Sequence, residues 1–243
     1  MSGGVGPTFN DISLPEEQEQ DLDLKKTQKV TPSIKDSFLS FNQLNALAII
    51  IVLAASSLVS LEDFAFVIFS IIYMYFLSRV AFSCAKPLKD SLVFDPKSKI
   101  LSIYVSVGAV IGLCLPIAYI FLGIYEGDKE GIKAAAPHLF LLASQVFMEG
   151  VAFSDRFALP VHVFVPVFYN SKRIFTVLEW LKTEMSKVEE GYGGSPMRVY
   201  FGRALAVANL AFWCFNLFGF LLPVYLPRAF EKYYSGCNSK VKD

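Results

Sequence analysis

The chain alternates between long uncharged runs and short charged breaks, and run length decides the elements. Residues 37–61 carry no charge, residues 64–85 carry only Arg79, and residues 100–125 again carry none. About 20 apolar residues cross a hydrocarbon core as a helix, so spans are predicted at about 42–61, 64–85 and 100–125. Further spans follow at 134–154, with Glu149 inside, and at 200–227. The runs are continuous rather than alternating, which is the pattern of helices and not of a β-barrel. The expected fold class is all-α: a polytopic transmembrane helical bundle of about five spans, with six as the alternative.

The pattern changes after the fourth span. Residues 157–170 (FALPVHVFVPVFYN) are apolar over only 14 positions and hold Pro160 and Pro166. So short a stretch is expected to re-enter the membrane or to lie at its interface. Across 174–190, Ile174, Val177, Leu178, Leu181, Met185 and Val188 recur at helical spacing, with Glu, Lys and Thr opposite. That predicts an amphipathic helix on the membrane surface or against the bundle. GYGGSP at 191–196 then breaks the chain. No Gly-Lys-Ser/Thr follows it, so it reads as a connection and not a phosphate loop. Residues 1–40 are polar and acid-rich and are expected to form a disordered cytoplasmic tail. Residues 41–230 form the membrane domain and 231–243 a short C-terminal tail.

Composition agrees with a membrane protein. Hydrophobic residues make up 54% of the chain, charged residues 18%, and mean hydropathy is +0.47. The 22 Lys and Arg balance 22 Asp and Glu without a dense basic patch, which argues against a nucleic-acid partner. The break at 62–63 has no Lys or Arg, whereas residues 79–99 hold five. Basic loops stay cytoplasmic, so the N-terminus is expected in the cytoplasm, with an endomembrane or the plasma membrane favoured. The same count prefers re-entry of 157–170 over a full crossing by a margin of two residues, which puts the C-terminus outside. Cys84, Cys114, Cys214 and Cys237 are scattered without a CxxC pair, so neither a metal site nor a disulfide framework is expected. Cys84, at a membrane edge, is a candidate for palmitoylation.

Polar residues inside apolar runs are the candidate functional positions, because each is unfavourable in hydrocarbon. His138, Gln145 and Glu149 are spaced by seven and four and share one face of the fourth span. They are read either as a proton or cation path or as hydrogen bonds to a neighbouring helix. Asn209 and Asn216, seven apart, read as interhelical joints, and Gly108 with Gly112 as a GxxxG packing pair. Pro116 is expected to kink the third span. Catalytic constellations are missing: Ser144 and His138 fall on different helical faces.

The segments PHLFLLASQVFMEG (137–150) and VFYNSKRIFTVLEWL (167–181), with the acidic tail before the first span, resemble a group of plant multi-pass membrane proteins classed as a domain of unknown function. The resemblance implies no catalytic motif. The function expected is therefore that of a non-enzymatic scaffold, adaptor or assembly factor without cofactor. Its expected partners are the lipid bilayer and a second copy or another membrane protein. The alternative is a small transporter or channel subunit using the His138–Gln145–Glu149 stripe.

Overall fold

The computed structural model describes residues 58–82, 93–94, 98–152, 157–187 and 195–239. The predicted tail, most of the first span, Cys84, Val188 and the 191–194 connection lie outside these residues.

The first described helix, α1, is Leu61–Val80. Ser60 caps it, accepting the Asp63 N–H on Oγ at 3.3 Å and giving its hydroxyl to Asp63 Oδ2 at 2.9 Å. Glu62 and Asp63, expected in a loop, thus occupy the first turn, where negative charge faces the positive end of the helix. The next rod runs from Lys99 to Glu126 in three pieces: α2 (Lys99–Ala109), a π turn (Val110–Cys114) and α3 (Leu115–Glu126). Pro116 follows the π turn, so the expected irregularity is a change of helical register at the proline. Gly127 ends α3 at φ 74°, a left-handed conformation that favours glycine. Asp128 then caps α4 (Lys129–Ala152) by accepting the Gly131 N–H at 2.9 Å.

The largest departure from expectation concerns residues 157–190. The predicted short re-entrant segment and the separate amphipathic helix are one continuous helix, α5, Leu159–Ser186, of 28 residues. At 1.5 Å per residue it is about 42 Å long. Pro160 sits in its first turn, where no N–H is needed, and Pro166 removes only one intrahelical bond. Of the described residues on the predicted apolar face, only Val177 is buried. Leu178 and Met185 are exposed and Ile174 and Leu181 half-buried, whereas Arg173, Val177, Trp180, Glu184 and Lys187 are buried. In a soluble protein the apolar stripe would face inward. Here the inward face of α5 carries the charges, because its neighbours supply partners.

The last rod is continuous from Pro196 to Ser239: α6 (Pro196–Cys214), a π stretch (Phe215–Tyr225) and α7 (Leu226–Ser239). It runs beyond the predicted span, so residues expected to form a tail are helical to Ser239. α5 is the central element and touches α1, α4, α6, α7 and the π stretch. Met74, Phe140, Met148, Val161 and Tyr169 fill the space between α1, α4 and α5. Tyr119, Ala135, Trp180, Leu205 and Ala206 fill that between α3, α4, α5 and α6.

Among the described residues, three helices are long and apolar enough to cross a membrane: Leu61–Val80, Lys99–Glu126 and Pro196–Cys237. These are also outer elements. Ile72, Val105, Phe121 and Tyr200 on them are all more than half exposed.

Candidate functional site

The predicted polar stripe of α4 faces other helices. Pro116 has no N–H, so the carbonyls four and five residues earlier, those of Gly112 and Ile111, lose their intrahelical donor. His138, fully buried, donates Nε2–H to the Gly112 carbonyl at 2.8 Å. Asn209 of α6 donates to the Ile111 carbonyl at 3.0 Å and accepts the Trp213 indole N–H on Oδ1 at 3.2 Å. Where α6 widens into π turns, Asn170 of α5 donates to the Trp213 carbonyl at 3.1 Å. Three side-chain donors thus occupy backbone acceptors at the irregular turns, as helix breaks inside a bundle require. Asn216 accepts the Tyr104 hydroxyl at 2.6 Å, which makes both asparagines interhelical joints.

Gln145 and Glu149 do come together: the Gln145 amide donates to Glu149 Oε1 at 2.6 Å. The other side of Gln145 accepts from Arg173 Nη2 at 2.5 Å. Arg173 is 0% exposed, and its guanidinium lies 4.2 Å over the Trp213 ring. His138 is bonded instead to the π turn at Gly112, with Trp180 and Trp213 at 6.2 and 6.1 Å. The stripe is therefore two separate arrangements.

Gly108 and Gly112 do not bring two backbones together. A Cβ at Gly108 would meet Phe212 Cζ at 2.9 Å, and one at Gly112 would meet Trp213 Cζ2 at 2.6 Å. The groups that approach both glycines are aromatic rings. Cys114, Cys214 and Cys237 are free thiols. Among the described residues, no three His, Cys, Asp or Glu side chains are grouped as metal ligands.

A second cluster was not signalled by the sequence pattern. It forms where α3 and α5 end and α4 and α6 begin. Lys187 Nζ donates to Asp128 Oδ2 and Glu184 Oε1, each at 2.9 Å, and to the Tyr119 hydroxyl oxygen at 3.3 Å. Arg198 Nε donates to Asp128 Oδ2 at 2.6 Å, Nη1 donates to the Tyr119 carbonyl at 3.2 Å, and the guanidinium lies 4.3 Å from the Tyr119 ring. The Tyr119 hydroxyl donates to Glu184 Oε1. Two cations face two carboxylates, and every one of the four side chains is no more than 3% exposed. Arg203 completes the end of α5 by donating to the Glu184 and Met185 carbonyls, each at 2.9 Å.

Glu184 and Lys187 are three positions apart, but the bonds of Lys187 and Arg198 to Asp128 and Tyr119 span 59 to 79 residues, so no local spacing could have joined the cluster. The clue available was glycine. Gly123, Gly131 and Gly202 leave room for Arg198, for Lys187 with Asp128, and for Glu184; a Cβ at Gly202 would sit 2.5 Å from Glu184 Oε2. Burial by itself pushes the Asp128 carboxyl up, but hydrogen bonds from Lys187, the Gly131 N–H and Arg198 outweigh it and hold the carboxyl below its ordinary range.

A family model described as a domain of unknown function, DUF7733, matches residues 39–234. The chain belongs to that family. No curated protein and no solved structure matches it. Both polar clusters lie within the DUF7733 domain, so they are features of its body and not of the flanking residues.

Proposed function

We propose that this DUF7733 protein is a non-enzymatic, multi-pass membrane protein that acts as a scaffold or assembly factor through helix packing. The observation that carries this reading is the fate of the polar stripe. His138 and Gln145 give their donors to a backbone carbonyl and a carboxylate inside the bundle, so the stripe is used in joining helices. The resemblance of residues 137–150 and 167–181 to plant multi-pass proteins agrees with it. In this reading α4 and α5 also cross the bilayer, too polar to be recognised by hydropathy because they face each other at the centre. With the undescribed first span that makes six crossings. Both termini then lie in the cytoplasm, of an endomembrane or the plasma membrane, and the exposed faces of α1 and α2 meet lipid, a second copy or a partner protein.

Purified protein in sealed vesicles tests the choice between scaffold and transporter. Proton and monovalent-cation flux should match protein-free vesicles. Flux that disappears in Glu149→Gln would defeat the scaffold reading in favour of the transporter. Cross-linking in native membranes should trap a discrete partner or a second copy on α1 or α2.

A further inference from the structure

Hydropathy supports a crossing by neither α4 nor α5, and for α5 the contacts of its cations show where support comes from. Glu179 and Lys182 form an exposed ion pair, their side chains 69% and 61% accessible, and so mark the level of water on one side. The stretch left for the hydrocarbon is residues 159–178, about 20 positions, the length of one crossing. Its interior holds two adjacent cations, Lys172 and Arg173.

Each cation has its partner on another helix. Lys172 Nζ lies 3.3 Å from Asp63 Oδ1 of α1. Arg173 is bound at 2.5 Å by Gln145 of α4 and covered by the Trp213 ring of α6, with longer bonds of 3.5 Å to the Leu141 carbonyl of α4 and to Asn170 of its own helix. Positive-inside bias acts against the crossing. Residues 171–203 hold six Lys and Arg, all of which would remain cytoplasmic if α5 stayed on that side.

We propose that α5 crosses the bilayer only because α1, α4 and α6 supply partners to Lys172 and Arg173, and that without those partners the chain inverts from α5 onward. The inference rests on the six-crossing reading above. Asp63 and Gln145 precede α5 in the chain, whereas Trp213 follows it. The crossing is therefore completed only when α6 has docked, and the helix is a conditional span decided by tertiary contacts rather than by its own composition.

Two glycosylation cassettes on the full-length chain in microsomes test this, one inserted in the 188–194 connection and one after residue 243. The unmodified chain should be glycosylated in the connection and not at the C-terminus. The partner-removal variant Asp63→Leu/Gln145→Leu/Trp213→Leu leaves α5 untouched, yet it should move roughly half or more of the chains to the opposite pattern. Adding Lys172→Leu/Arg173→Leu to that variant should restore the original pattern, because the cations no longer need partners. Glycosylation of the connection at the unmodified level in the partner-removal variant overturns the proposal, as does a failure of the added pair to restore it. A C-terminal glycan on the unmodified chain instead overturns the six-crossing reading itself, which separates the two failures. Because the readout is the side reached and not stability, a variant that packs poorly still gives an answer.

Discussion

At mid-bundle, His138, Asn209 and Asn170 give N–H groups to backbone carbonyls at irregular turns, whereas at the helix ends Lys187 and Arg198 give theirs to buried carboxylates. Beside these the first arrangement holds one cation, Arg173, and one carboxyl, Glu149, joined through Gln145. The second is an almost inaccessible set of two positive and two negative groups, with the partly exposed Glu126 3.7 Å from Arg198 at its edge. The difference teaches how each should respond to loss of one member. A carbonyl deprived of a side-chain donor loses one hydrogen bond. An ion deprived of its counter-ion leaves unpaired charge among groups that are almost wholly inaccessible, and that penalty is far larger than the pair's own net contribution.

Lys187→Met should therefore have the largest effect, destabilising the protein by about 3–5 kcal/mol in thermal unfolding of the detergent-solubilised chain. Lys187→Met/Glu184→Gln, which restores balance, should recover most of that loss. Equal loss in both variants would show that the cluster acts through individual contacts and not through charge balance. Acid probes the same set. The folded-state pKa of Asp128 is held below its unfolded value, so its stabilisation is complete above the ordinary carboxylate range and is lost as pH falls through the lower folded value. Asp128→Asn should lower stability at neutral pH and flatten that part of the acid profile, read from unfolding midpoints across a pH series.

Glycine substitutions separate the regions by how far their neighbours can yield. Gly202→Ala meets Glu184, a 0% exposed side chain held by Tyr119 and Lys187, and should destabilise by about 1–3 kcal/mol. Gly108→Ala meets the far edge of the half-buried Phe212 ring and should be much milder, since the ring can shift and alanine favours the helix. Comparable unfolding midpoints for the two would remove the distinction. His138→Leu or Asn209→Leu should each lower stability by about 1 kcal/mol, the scale of a single side-chain hydrogen bond inside a membrane bundle. Glu149→Gln should have the smallest effect on the unfolding midpoint, because an amide oxygen still accepts from Gln145.

Much of the mid-bundle region was legible beforehand because it rests on local spacing. Asn209 and Asn216 seven apart, Gln145 and Glu149 four apart, and a proline inside an apolar run all follow from helical periodicity. What each group would face did not follow. His138 aligned with Gln145 on one helix, yet it reaches a carbonyl freed by Pro116 on another. The course of 157–190 was misread for a related reason. Two prolines and a charged pair look like a break when a segment is judged alone. They are tolerated here because Lys172 and Arg173 have partners on α1 and α4.

The sequence alone sufficed for an all-helical chain and for the placement of the described helices apolar enough to cross a membrane, because these depend on composition and on periods of a few residues. Tertiary structure alone decided that α5 is one central helix with its charges inward. It also brought Tyr119, Asp128, Glu184, Lys187 and Arg198 to one point. Burial of an ion is settled by its counter-ion, and the buried Lys187 and Arg198 share one, Asp128, 59 and 70 positions away, beyond any pattern that a helix writes along its own length.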